Sequence, residues 1–311
     1  MRKKLIQSSL LAGNCLVFGS AIAAHAGVVV DGSINGSEGY GAPLATQTIN
    51  TGFGDSTVGD GTSTGGSELD AAYGVVSGGN LNLFFSGNFE SNGNLVNVFI
   101  DDGRAGGQNV LHAAGGSGSL PNMNGSIFSP GFNATYATES NNYSGTVYSD
   151  QYDLINNTAA YVGAVPLTGG IGNGVLTNGV TLGMNDTNAL GVNGNAGTTA
   201  DPVAADAVTT GLELSIPLSA LGNPAPGSSI LVLADINGNG DGYLSNQFLP
   251  GLPVGTQNLG SGTPFTGSNS GSFNLSNTPG EYITVTVPEP TSIAALGGGL
   301  LMLCSRRRRT T

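Results

Sequence analysis

The sequence predicts an all-β protein. It reads as a β-sandwich, jelly-roll-like, with long Gly/Asn-rich loops, flanked by an N-terminal signal helix and a short hydrophobic C-terminal sorting helix. Three observations carry this. Apolar residues in the middle of the chain recur at every second position over runs of five or six residues, the spacing at which side chains share one face of a strand. Glycine is abundant, 53 of 311 residues, and clusters with Asn, Ser and Thr between those runs, where turns need it. Helical periodicity is scarce outside the two ends. A body of about 260 residues can bury one substantial core as a single domain. The sequence shows no fixed-period repeat and no internal domain boundary.

At the N-terminus, Arg2-Lys3-Lys4 precedes an apolar stretch that ends in Ala24-His25-Ala26. This is the charged n-region, apolar h-region and small-residue cleavage site of a secretory signal peptide, predicted over 1–26. Cys15 lies inside the apolar stretch behind Asn14 and reads as an ordinary leader cysteine.

Along the body, 27–287, Gly27 to Val30 and Ala71 to Val76 are strand candidates. Leu81, Leu83 and Phe85 alternate on one face, as do Val96, Val98 and Ile100. The turn-rich linker between these two runs predicts an antiparallel pair. Further candidates are Asn133 to Thr138, Gly145 to Tyr148 and Ala159 to Val165. Leu212, Leu214 and Ile216 alternate with Glu213 and Ser215 until Pro217, and 217–221 fits one helical turn. Ile230 to Ala234 is a continuous apolar run suited to a buried strand, and Tyr282 to Val287 is a β-branched final strand. Gly52 to Gly66, Gly169 to Gly197 and Gly255 to Gly271 read as loops.

The chain closes with Pro288-Glu289-Pro290, an apolar run from Ile293 to Cys304, and Arg306-Arg307-Arg308-Arg309. The run is short of the roughly 20 residues of a comfortable span, and the arginines hold its end at the cytoplasmic face. With the N-terminus inserted basic end inward as well, everything between is expected to be exported. This tail, 288–311, resembles the PEP-CTERM sorting domain of Gram-negative bacteria, a tail also described as an ice-binding protein C-terminal domain. The resemblance implies processing by an exosortase near the Pro-Glu-Pro, after signal peptidase has acted at the other end. It also implies transient anchoring in the inner membrane, and release or attachment at the cell surface. It implies no particular activity.

Setting the two ends aside leaves one arginine, Arg104, against nineteen acids between Gly27 and Val287, a net charge of −18, with no lysine. Such a surface repels nucleic acid and anionic lipid and attracts divalent cations. Both cysteines, Cys15 and Cys304, fall in the terminal signals, so no disulfide staples the body.

Several body segments form a set: Val30-Asp31-Gly32, Leu-Phe-Phe-Ser-Gly-Asn at 83–88, Val-Phe-Ile-Asp at 98–101, Gly-Gly-Gln-Asn at 106–109 and Gly-Leu-Glu-Leu-Ser-Ile-Pro-Leu at 211–218. Together they resemble the carbohydrate-binding module 9-like and DOMON-like sandwiches of secreted bacterial proteins, which implies glycan or exopolysaccharide as a partner. Sugar-binding modules usually stack sugars on Trp, and this chain has none. Tyr136, Tyr143 and Tyr148 are candidate substitutes.

Asp235, Asn237, Asn239 and Asp241, with Gly240 and Gly242, match the first half of a calcium loop, with oxygen side chains at positions 1, 3 and 5 and Gly at 6. Asn246 stands where the closing Glu belongs, and the preceding segment is a strand, so this is no EF-hand. Hairpin turns use the same Asn-Gly and Asp-Gly pairs. Ca2+ is therefore the one cofactor the sequence suggests. Asp101 and Asp102 end a strand and face opposite sides, a poor acid/base pair; a solvated strand end neutralised by Arg104 is the first reading, and a capping or cation-binding role the second. His112 is the only histidine of the body, too few for a nitrogen-based metal site. The one G-x-S-x-G match, Gly61 to Gly65, lacks a strand-to-helix turn. Sequons at Asn35, Asn124, Asn133, Asn142, Asn156, Asn185 and Asn274 permit glycan decoration.

These readings predict an exported, non-catalytic cell-surface or extracellular-matrix protein binding glycan or calcium. The alternatives are a secreted hydrolase using carboxylates alone and an ice-binding or adhesive surface built on Thr/Asn-rich faces.

Overall fold

The alternating runs become strands of two antiparallel sheets that meet across one apolar layer. The structure is a computed structural model and describes residues 27–53 and 66–289. The leader 1–26, the Gly61 to Gly65 match, Pro290 and Arg306 to Arg309 lie outside the described residues.

Thirteen strands are described: β1 (Ala45–Thr46), β2 (Glu68–Ser77), β3 (Asn80–Asn88), β4 (Asn92–Asp101), β5 (Tyr136–Tyr143), β6 (Thr146–Asp153), β7 (Thr158–Pro166), β8 (Ile171–Val175), β9 (Thr181–Asn185), β10 (Gly211–Pro217), β11 (Ser229–Asn237), β12 (Leu244–Leu249) and β13 (Ile283–Thr286). The first sheet runs β1-β2-β3-β10-β9-β8. The second runs β12-β11-β4-β5-β6-β7, with β13 paired to the other half of the β11 edge that β12 occupies. One short helix, α1 (Pro202–Asp206), is capped by the Asp201 carboxylate accepting from Val203 N, with Pro at its first turn.

The period of two decides the inner core. Leu81, Leu83 and Phe85 of β3 pair with Ile216, Leu214 and Leu212 of β10. Val96, Val98 and Ile100 of β4 pair with Ile236, Ala234 and Val232 of β11. All twelve side chains are buried in one cluster between the sheets. Each fully buried Leu, Ile or Phe contributes about 1.5–3 kcal/mol.

Several expectations are corrected. The 81–85 and 95–100 runs do not pair with each other. β3 lies in the first sheet and β4 in the second, so the short 89–91 link crosses between sheets instead of turning a hairpin. Both runs still aim the same kind of face at the same core, from opposite sides. Gly27 to Val30 forms no strand. The backbone that follows it is held by a side chain, with Asp31 N and Gly32 N donating to the Glu213 carboxylate at 2.9 and 3.1 Å. The 169–197 stretch is not all loop, since β8 and β9 pair within it. β8 reads Ile-Gly-Asn-Gly-Val, whose low β-propensity hid it, and it is an edge strand bonded on one side only.

The opposite faces of both sheets are also covered. On the first sheet, Phe84 packs with Tyr40 and Tyr73, ring centroids 6.3 and 5.8 Å away. On the second, Phe99 meets Phe128 at 5.0 Å and Phe273 at 6.1 Å. Those partners come from the long segments 102–135 and 250–282, which fold over the sheet and form a second apolar cluster. Asp101 and Asp102 are buried and not a solvated strand end, and they cap the start of the first segment. Asp101 accepts from Gly103 N and Asn133 N at 2.9 and 2.8 Å, and Asp102 is bridged by Arg104 at 2.6 Å.

Candidate functional site

Register on the outer face of the second sheet creates a site that the sequence disperses. One row across the strands is apolar: Leu233, Phe99, Ala137, Tyr152 and Ala159 lie directly opposite one another from β11 to β7. Two residues along, the next row is polar: Asp235 opposite Asn97, Asn97 opposite Glu139, Glu139 opposite Asp150 and Asp150 opposite Tyr161. Directly opposed side chains sit about 4.5–5.5 Å apart at Cβ, so like charges in such a row repel unless something separates or neutralises them. Asn97 separates Asp235 from Glu139. Asp235 and Asn97 are fully buried, Glu139 is 3% exposed and Asp150 9%, while Tyr161 is open at 54%.

The buried end gains another acid from the β11–β12 hairpin. Its tip closes through Gly238 N donating to Tyr243 O at 2.6 Å, so the hairpin reading of this segment holds. Gly240 and Asp241 adopt left-handed backbone, φ 70° and 51°. Asp tolerates that region better than most residues, yet it still costs energy. In this setting Asp241 is fully buried beside Asp235. Asn97 Nδ2 donates to Oδ1 of Asp235 and to Oδ1 of Asp241, 3.0 Å each. Asp235 Oδ2, Asp241 Oδ2 and Asn97 Oδ1 accept no hydrogen bond from a fixed donor, while the Asp241 and Glu139 carboxyls stand close enough to share a proton. Burial pushes the Asp235 carboxyl up to about 7 against the Asn97 bond, which lowers it. Burial also raises Asp241 well above the carboxylate range, helped by the nearby charges of Glu139 and Asp235.

The open end is a cleft of about 360 Å³ lined by Gly118, Ser119, Glu139, Asn141, Tyr143, Tyr148, Asp150 and Asn239. Tyr143 and Tyr148 are 53% and 41% exposed. Alternation places Glu139, Asn141 and Tyr143 of β5 on the same face as Tyr148 and Asp150 of β6. The rim is the 117–120 segment. Glu139 accepts from Ser119 N at 2.9 Å and Leu120 N at 2.7 Å. Tyr152 Oη sits between Ser117 O at 2.8 Å and Glu139 Oε2 at 3.1 Å. Ser117 Oγ donates to Asp150 Oδ1, and Asn122 Nδ2 ties this rim to the hairpin tip through Gly240 O at 2.9 Å. Burial raises both Glu139 and Asp150, with the backbone donors pulling Glu139 back down.

Of the four residues of the calcium-loop motif, the structure gathers two. Asp235 and Asp241 meet on Asn97. Asn237 turns its amide toward Gly271 O at 3.3 Å and uses its oxygen on Gly238 N, while Asn239 is exposed at the cleft. Among the described residues no three His, Cys, Asp or Glu side chains stand at metal-binding spacing. Asn97, Glu139, Asp150 and Tyr152 carried no motif in the sequence; each is an isolated polar or aromatic position within an apolar-rich strand. Of the three tyrosines, Tyr136 is in the inner core, and Tyr143 and Tyr148 share the cleft. His112 is exposed and bonds through its backbone to Gln108. Sequon Asn142 is buried, donating to Phe89 O and Asp186 Oδ2, whereas Asn133 and Asn156 are exposed. Pro288 and Glu289 follow β13 directly, with Val287 N donating to Ser228 O at 2.9 Å.

No family model matches the chain, and no curated protein or solved structure matches it.

Proposed function

We propose that this chain is an exported, non-catalytic cell-surface or matrix protein whose sandwich binds glycan in the β5–β6 cleft. The observation that carries the reading is the pairing of two exposed tyrosine rings with Asn141, Asp150, Asn239 and Ser119 in one open cleft. Sugars present C–H faces that pack on aromatic rings and hydroxyls that seek carboxylates and amides. Tyrosine here takes the place of the absent tryptophan. The two-sheet architecture supports a jelly-roll-like, carbohydrate-module-like assignment, and the signals at 1–26 and 288–311 support export with exosortase processing at the inner membrane.

Binding is favoured over hydrolysis by what Glu139 already does. Both of its oxygens accept from Ser119 N, and Oε2 also from Leu120 N. A glycosidase needs a carboxyl group free to protonate the glycosidic oxygen. Glu139 instead anchors the rim.

The test is a glycan array followed by calorimetry on the polysaccharides that bind. Binding without release of reducing sugar is expected, weakened by Tyr143→Ala and Tyr148→Ala. Hydrolysis abolished by Glu139→Gln or Asp150→Asn would overturn the non-catalytic reading. Sorting is tested separately, by C-terminal mass spectrometry of the exported protein. A tail retained beyond Pro290 would sink the exosortase step.

A further inference from the structure

The geometry points to a divalent-cation site of the oxygen-seeking calcium class, made by the carboxylates of Asp235 and Asp241 with the side-chain oxygen of Asn97. It is independent of whether the neighbouring cleft binds glycan.

Asp235, Asp241 and Asn97 are fully buried, and each keeps one oxygen without a fixed hydrogen-bond donor. A buried carboxylate with no compensating partner is costly, so buried charges are normally paired or coordinate a metal. Among the described residues no cation stands beside Asp235 or Asp241, and Asp241 also faces the Glu139 carboxyl. Between Gly27 and Glu289 the only lysine or arginine is Arg104, and it is committed to Asp102. Such buried carboxyls are neutralised by a proton or by a cation from solution, and the geometry favours a cation where several oxygens converge.

The donor set selects the ion. Two carboxylates and an amide oxygen suit a hard cation; Met123 Sδ, 3.2 Å from Asn97 Nδ2, is a soft neighbour that such an ion does not use. The two aspartates are already held together on one amide nitrogen. A half-turn of the Asn97 amide exchanges that nitrogen for Oδ1, placing three oxygens around a common point. Calcium takes six to eight oxygens, so the rest must be water admitted past Glu139 and Asn239, which line the neighbouring cleft. The left-handed turn at Gly240 and Asp241, which brings this carboxylate inward, is the sort of local cost retained at ligand sites. Asp235 and Asp241 are the two ends of the calcium-loop motif. The inner Asn237 and Asn239 are replaced by Asn97, from a neighbouring strand.

The experiment uses the full chain, stripped with EDTA and titrated with CaCl2 by calorimetry through about 10⁻³ M, the range of extracellular calcium modules. Thermal unfolding is followed in parallel. A saturable heat of about one ion per chain and a calcium-dependent rise in Tm are expected. Both are lost in Asp235→Asn and in Asp241→Asn, and kept in Asp201→Asn, an exposed helix cap. Because Asp235→Asn removes a buried charge at constant shape, it is expected to be at least as stable as the parent without calcium, and circular dichroism checks that it folds. No heat and no Tm shift in the parent would overturn the site. So would a calcium response that persists in Asp235→Asn.

Discussion

Replacing Glu213 with Gln is expected to leave stability unchanged near pH 4 and to raise it near pH 8. Glu213 lies on β10, fully buried, and accepts from Tyr40 Oη at 2.7 Å, Asp31 N at 2.9 Å and Gly32 N at 3.1 Å. Burial nevertheless dominates and pushes its carboxyl from 4.5 up to about 7. Below about pH 4.5 folded and unfolded chains both hold the proton. Between that point and about pH 7 the unfolded chain releases it while the folded protein keeps it, so stability falls as pH rises. Above about pH 7 the loss is complete and constant. At about 1.4 kcal/mol per pH unit of this window, Glu213 costs about 3 kcal/mol of stability at pH 8. Gln carries no charge to bury. Its Oε1 accepts from Asp31 N and Gly32 N, and its Nε2 donates to Tyr40 Oη, so the hydrogen bonds survive. Urea unfolding of both proteins from pH 4 to pH 8 measures the difference, in which the other buried acids cancel. The variant's midpoint is expected to move ahead of the parent's progressively through this range, with m unchanged. A flat difference across the range, or a variant less stable at pH 8, would refute the assignment of burial as the dominant effect.

Phe273→Ala should destabilise by about 3–5 kcal/mol, because Phe273 touches the rings of Phe99, Phe128 and Phe248 and joins segment 250–282 to the sheet; a guanidinium midpoint barely changed would show that this outer cluster is not integral to the fold. Tyr148→Ala should weaken glycan binding by about 0.5–1.5 kcal/mol without moving Tm, since the ring is half exposed; calorimetry on a binding polysaccharide reads the first and a melt the second. Gly118→Ala should lower glycan affinity as well. Its φ of 64° and the approach of a new Cβ to Tyr152 Oη and Glu139 strain the rim, and parent-like affinity would show that the rim tolerates displacement.

Local pattern was enough to find the strands. The alternation of Leu81, Leu83 and Phe85, of Val96, Val98 and Ile100, and of Leu212, Leu214 and Ile216 follows from the two-residue repeat of the strand, and it marked the inner core residue by residue. The Asn-Gly and Asp-Gly pairs of 237–242 marked the hairpin in the same way, because a turn is decided by its own backbone angles. The partners of β3 and β4 were not legible, because a strand's face is local while its neighbour is set by chain far away in sequence. The burial of Phe84 and Phe99 was not legible for the same reason: the rings that cover them, Tyr40 and Tyr73 on one and Phe128 and Phe273 on the other, lie far away in sequence. The site is the extreme case. Composition alone determined that the body is acidic, without disulfides and, apart from Arg104, without cations, so that its buried carboxylates other than Asp102 rely on hydrogen bonds or protons. Which carboxylates are buried, and that Asp235, Asn97, Glu139 and Asp150 form one row above Asp241, was decided by the register of four strands, since a one-residue slip in any of them would turn its member to the opposite face.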